Sequence, residues 1–213
     1  MSSRSIVLAA IVSLLTFDMM GAREAPEDDM LRRSSPRAVT VEMLGTVDAV
    51  NDPTHILDES VAIGAAIRVV YKISPDTSPD PFSQPHMADY WGAIGSRALR
   101  VQVGRFSLRN AADRVQVTMV DGGTNADGLF DGWYVYAPKP RVLGLGVRED
   151  LTIFLGLYDG TALALDSPAL VPVPSLDAWP SARIGVSREV TNGSRTYQVL
   201  FIAGEITSIR VVN

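Results

Sequence analysis

From residue 38 onward, apolar side chains recur at every second position, the period of a strand that buries one face. Val61, Ile63, Ala65, Ile67, Val69, Tyr71 and Ile73 hold consecutive odd positions, with Arg68 and Lys72 between them. This predicts a single strand over 61–73. Leu99, Val101 and Val103 repeat the pattern against Arg100 and Gln102. At Gly104 the phase flips, so that Phe106 and Leu108 become the apolar positions, as at a tight turn or bulge. Val115, Val117 and Met119 alternate with Arg114, Gln116 and Thr118. Leu151, Ile153, Leu155 and Leu157 form another one-faced strand, closed by an Asp159-Gly160 turn. Near the C-terminus, Ile184, Val186 and Val190 lead through Asn192-Gly193 into Tyr197, Val199 and Phe201. Asn-Gly takes positive φ readily, which predicts a hairpin with those two residues at its tip. No long segment in this region has helical periodicity. Short strands separated by Gly, Pro and Asp turns predict a single all-β domain over 38–213, an antiparallel β-sandwich or jelly roll, with a barrel as the lesser alternative.

The N-terminus has a different pattern. Arg4 precedes an apolar run from Ile6 to Phe17 that is interrupted only by Ser13 and Thr16. That is the length of a signal-peptide core, short of the roughly 20 residues a spanning helix needs. The reading is a signal peptide over 1–22, ending at Ala22 although Met20 stands where a small residue is preferred. A charged flexible spacer follows over 23–37, with Pro26, Ser34, Ser35 and Pro36. The expected destination is secreted or periplasmic, with no membrane span once the signal is cleaved. The competing reading is a buried first helix of the fold.

Composition narrows the chemistry. The chain has no cysteine, which excludes disulfides, thiolate metal sites and a thiol nucleophile. A net charge of −5 over 213 residues gives no electrostatic reason to bind nucleic acid or anionic lipid. Lys72 and Lys139 are the only lysines among 19 basic residues, an imbalance read as the coding bias of a GC-rich genome. His55 and His86 are the only histidines, and no nucleophile elbow, phosphate-binding loop or dinucleotide fingerprint is present.

Four stretches resemble a family of uncharacterised exported bacterial domains, often found in proteins with a PEP-CTERM sorting tail. They are Gly45–Val50, Val69–Tyr71 with the Pro/Asp-rich segment after it, Leu155–Leu163 with Ser175–Trp179, and Ile202–Ile209. The resemblance implies an exported β-rich domain and brings no established activity. The Pro-Glu-Pro motif, apolar helix and basic cluster of that tail do not follow the last stretch in this sequence.

Two segments carry candidate chemistry. In the Pro-rich connection from Ser74 to Ser96, Asp76, Asp80, His86, Tyr90 and Trp91 form a set suited to sugar binding, aromatic faces for the rings and carboxylates for the hydroxyls. The plainer reading is a stiff crossing whose Tyr90 and Trp91 plug one end of the sheet. In the Gly-rich loop from Asp121 to Asp131, the oxygen atoms of Asp121, Asn125, Asp127 and Asp131 suit calcium. The spacing does not fit an EF-hand, and the same residues serve ordinary turns. Trp133, Tyr134, Val135 and Tyr136 read as a strand of core aromatics, the tyrosines facing opposite to Trp133. The functional expectation is an exported, non-catalytic module that binds a glycan or surface partner or builds envelope structure. Its rival is a polysaccharide hydrolase using two carboxylates.

Overall fold

The structure, a computed structural model, describes residues 37–52, 57–111, 115–125, 128–192 and 195–212; of 189–192 and 195–200 it describes the backbone alone. The predicted signal peptide, nearly all of the spacer, His55, Asp127 and the tip residues 193 and 194 lie outside the described residues.

The described chain is all-β. Its strands are β1 (Val39–Val50), β2 (Ala66–Ile73), β3 (Met87–Trp91), β4 (Ile94–Val103), β5 (Phe106–Arg109), β6 (Gln116–Asn125), β7 (Gly128–Pro138), β8 (Arg141–Val142), β9 (Gly146–Val147), β10 (Leu151–Asp159), β11 (Ser181–Asn192) and β12 (Arg195–Val211). All belong to one antiparallel sheet ordered β3-β6-β7-β10-β11-β12-β1-β2-β4-β5-β8-β9. The sheet is curled on itself. Tyr71 in β2 meets Trp133 in β7 with ring centroids 6.0 Å apart, although five strand positions separate them. Phe106 in β5 likewise meets Phe201 in β12. The inward face carries the apolar set the alternation predicts. Leu99, Val101, Val103, Val117, Met119, Trp133, Val135, Leu151, Ile153, Leu155 and Leu157 are all buried, each such side chain contributing about 1.5–3 kcal/mol of transfer free energy.

β12 joins the two parts of the sheet. It pairs with β11 through Arg195 to Glu205 and with β1 through Ile202 to Val211. Register shifts at Leu44/Gly45, Val47/Ala49 and Val186/Ser187 let the neighbouring ladders bend around it. The open side of the curl is covered by the segment between β10 and β11. Leu165, Leu170, Val171, Val173 and Leu176 of that segment pack on the core. Three buried aromatics from three strands donate to its carbonyls: Tyr90 Oη to Pro168 O at 2.8 Å, Trp133 Nε1 to Val171 O at 3.0 Å, and Tyr71 Oη to Pro172 O at 3.3 Å. Burial pushes the Tyr71 phenol far above its usual range, so it remains a donor.

The phase flip at Gly104 is a two-residue hairpin in which Val103 pairs with Phe106 and Gly104 takes φ +55. A Cβ there would lie 2.3 Å from Ser60 Oγ, so the position needs glycine for space as well as for its dihedral.

Three expectations are corrected. The strand predicted over 61–73 begins only at Ala66. Before it the chain turns, with Val61 N bonded to Asp58 O and Gly64 at φ +86, so Ile63 is 73% exposed while Val61 stays buried. The connection from Ser74 to Ser96 contains β3, an edge strand whose only ladder is to β6 and which local pattern does not reveal. In the C-terminal hairpin, Asn192 pairs with Arg195, so the connection is residues 193 and 194 rather than Asn192-Gly193. All twelve strands belong to one continuous sheet.

Candidate functional site

Cross-strand register builds a continuous outer row. Trp91 in β3 pairs with Gln116 in β6, Gln116 with Tyr136 in β7, and Tyr136 with Phe154 in β10. Since alternate residues face alternate sides, and Tyr90, Val117, Val135 and Leu155 are buried, these four share the outer face. Trp91, Tyr136 and Phe154 are 48%, 37% and 38% exposed. The next outer row runs Asp89, Thr118, Tyr134, Gly156. Adjacent strands lie about 4.8 Å apart, so the first row is about 14 Å long.

The rings on this face lie along the sheet. A Cβ on Gly132 would fall 2.3 Å from Tyr134 Cε2, and one on Gly156 would fall 2.8 Å from Phe154 Cζ and 3.3 Å from Tyr134 Cδ1. Both rings therefore occupy the space that a side chain at those glycines would take. Tyr134 and Phe154 stack at 5.9 Å with 26° between planes, and Phe130 and Tyr158 stack at 5.4 Å with 27°. Each such pair is worth about 0.5–1.5 kcal/mol beyond its area burial. Partial burial, with Tyr158 nearby, raises the Tyr134 phenol above its usual range and keeps it protonated. Polar groups are interleaved and already ordered: Thr118 Oγ1 donates to Asp89 Oδ1 at 2.6 Å, and Gln116 Nε2 donates to Thr118 Oγ1 at 3.2 Å. A flat apolar surface beside fixed carboxylate, amide and hydroxyl groups can stack a sugar ring and bond its hydroxyls.

Of the sugar-binding set predicted from sequence, this face takes only Trp91. Tyr90 points inward to Pro168. Asp80 accepts from Phe82 N at 2.8 Å and caps a turn, while Asp76 and His86 are exposed on the connection before β3. Gln116, Thr118, Tyr134, Tyr136 and Phe154 were not singled out as ligand contacts. Their signal was the outward phase of each strand, with Tyr134 and Tyr136 opposite the buried Trp133.

The calcium set falls on the β6–β7 hairpin. Asp131 is fully buried; its Oδ1 accepts from Gly122 N and its Oδ2 from Leu165 N, both at 2.8 Å. Asn125 Nδ2 donates to Tyr158 Oη, and Asp121 bonds His86 O through its backbone N–H. Among the described residues, no three carboxylate or imidazole groups converge as metal ligands. Asp159 is the register partner of Asp131 and is also buried. Its carboxylate accepts from Leu163 N, Thr161 N and Thr161 Oγ1. The Leu163 amide foremost, then the Thr161 hydroxyl, hold its carboxyl below the usual carboxylate range. Both aspartates thus bind backbone of the covering segment.

No family model, no curated protein and no solved structure matches the chain.

Proposed function

We propose that this protein is an exported, non-catalytic β-sandwich module that holds a glycan chain on the outer face of β3, β6, β7 and β10. The observation that carries this reading is the register row Trp91–Gln116–Tyr136–Phe154, with the Phe154 ring laid over Gly156. Its three exposed aromatics offer stacking faces, and Asp89, Gln116 and Thr118 offer acceptors and donors within the same two rows. A row about 14 Å long suits an extended chain of a few sugar rings better than a single small molecule. The sandwich reading draws on the packing of β2 against β7 and of β5 against β12 across the curl. Export draws on Arg4 and the apolar run Ile6–Phe17, and on the resemblance to exported bacterial domains. The hydrolase alternative needs two accessible carboxylates, and the adjacent pair Asp131 and Asp159 is buried and bonded to backbone amides.

A glycan array probed with the full chain tests the reading. Trp91→Ala and Tyr136→Ala should each weaken binding to the glycans retained by about tenfold, the equivalent of ~1.4 kcal/mol. Because both side chains are exposed, the melting temperature should barely change. A blank array, or binding indifferent to both substitutions, overturns the proposal.

A further inference from the structure

The far end of the strand order carries a second outer row of different chemistry. Arg100 in β4 is the register partner of Arg109 in β5, and Arg109 is the partner of Arg141 in β8. With Arg97 these three line a pocket of about 530 Å³, walled in part by Ser107, Val142 and Leu143. Like charges directly opposite on neighbouring strands destabilise a sheet, and three abreast repeat that cost twice.

Six other arginines are placed differently. Arg68, Arg105, Arg148, Arg183, Arg188 and Arg210 each sit on a carboxylate. Among the described residues none of the four pocket arginines forms an ion pair, and no Asp or Glu lines the pocket. Arg100 Nε has only Ser107 Oγ, at 3.3 Å. In the same cross-strand row the nearest acid is Glu42, opposite Val70, and it is held by Arg68 and Arg210. Arg97 takes φ +57, a left-handed backbone that non-glycine residues seldom adopt and that recurs at ligand sites.

We propose that this pocket binds an oxyanion bearing more than one negative charge, a phosphate monoester or a diphosphate. Guanidinium groups grip such oxygens through paired N–H donors, and three on adjacent strands span about 10 Å, enough for a diphosphate or two neighbouring ester groups. Leu143 and Val147, 74% and 49% exposed, form an apolar lip for the body that carries the ester. The pocket shares no strand with the aromatic row, so it stands or falls independently of the glycan reading.

The probe is inorganic pyrophosphate added to the full chain, against sodium chloride at matched ionic strength. Pyrophosphate should raise the melting temperature by several degrees through mass action. Arg109→Gln and Arg141→Gln should abolish that rise, while Arg105→Gln, outside the pocket, should keep it. Without anion, Arg109→Gln should melt no lower than the parent, because a repulsion has been removed. Vesicles of phosphatidic acid, whose headgroup is a phosphate monoester, form a second arm. Sedimentation with them that is lost in Arg109→Gln assigns the ester to a lipid headgroup; a pyrophosphate response without sedimentation assigns it to a soluble ligand. The proposal is overturned if sodium chloride gives an equal rise, if the rise survives both substitutions, or if Arg109→Gln melts well below the parent.

Discussion

The two outer rows obey one geometric rule and differ in how their members are satisfied. Both arise because cross-strand register aligns the outward residues of three or four antiparallel strands. In the aromatic row and its neighbour, Tyr134 stacks on Phe154, Gln116 bonds Thr118, Thr118 bonds Asp89, and Gly132 and Gly156 make room for the Tyr134 and Phe154 rings. Beneath that end, Asp131 and Asp159 tie the covering segment to the sheet. The arginine row has no carboxylate among the described residues, and Arg100 rests on Ser107 Oγ at 3.3 Å. A surface that stabilises itself needs no ligand to explain it as structure. A surface that costs stability does.

This contrast can be broken most forcefully at Asp131. Asp131→Ala would strand the amides of Gly122 and Leu165 in a buried site, so unfolding should become easier by about 3 kcal/mol. Denaturant melts read that loss directly, and an unchanged midpoint would mean the covering segment is not held there. Gly132→Val comes next. Its side chain would displace the Tyr134 ring and cost the stack on Phe154, a loss of about 1–2 kcal/mol accompanied by weaker glycan binding. A variant that melts like the parent yet still binds would detach the ring seat from both roles.

The smallest effect is expected from acid. The folded-state pKa of Asp159 lies below its unfolded value, so its contribution is complete above about pH 4 and is lost as pH falls through the folded pKa. Thermal melts between about pH 5 and pH 2 should show a decline that is shallower in Asp159→Asn, which has no carboxylate to protonate. Identical curves would mean that Asp159 makes no net contribution.

Much of the inner face was legible from the sequence. Period two placed Leu99 to Val103, Val117 to Met119 and Leu151 to Leu157 inward, and the Gly104 flip marked a hairpin. The outer rows were not legible, because a row depends on which strands are neighbours. β3 pairs with β6 and β5 with β8, and no local pattern encodes those pairings. Trp91 stands out in the sequence as an aromatic in a Pro-rich connection, but its edge strand does not, so the outward residues that register sets beside it are not evident from local pattern. Arg100 stands out as an outward residue between Leu99 and Val101, but Arg109 and Arg141 join it only through the β4–β5 and β5–β8 ladders. Asn192-Gly193 predicted a hairpin at the right place and a tip shifted by one residue.

The long strand β12 also shapes the route by which this chain folds. Its Arg210 meets Glu42 of β1 from 168 residues away, and the same strand holds β11 by a hairpin. In the strand order, β1-β2-β4-β5 and β6-β7-β10-β11 meet only through β12. Each group forms its own ladders earlier, and the ladders that join the two groups into one sheet wait for that strand. Contacts of such sequence separation close slowly, because the loop entropy is spent before the contact forms. The continuous sheet is therefore closed last, by the strand that is synthesised last.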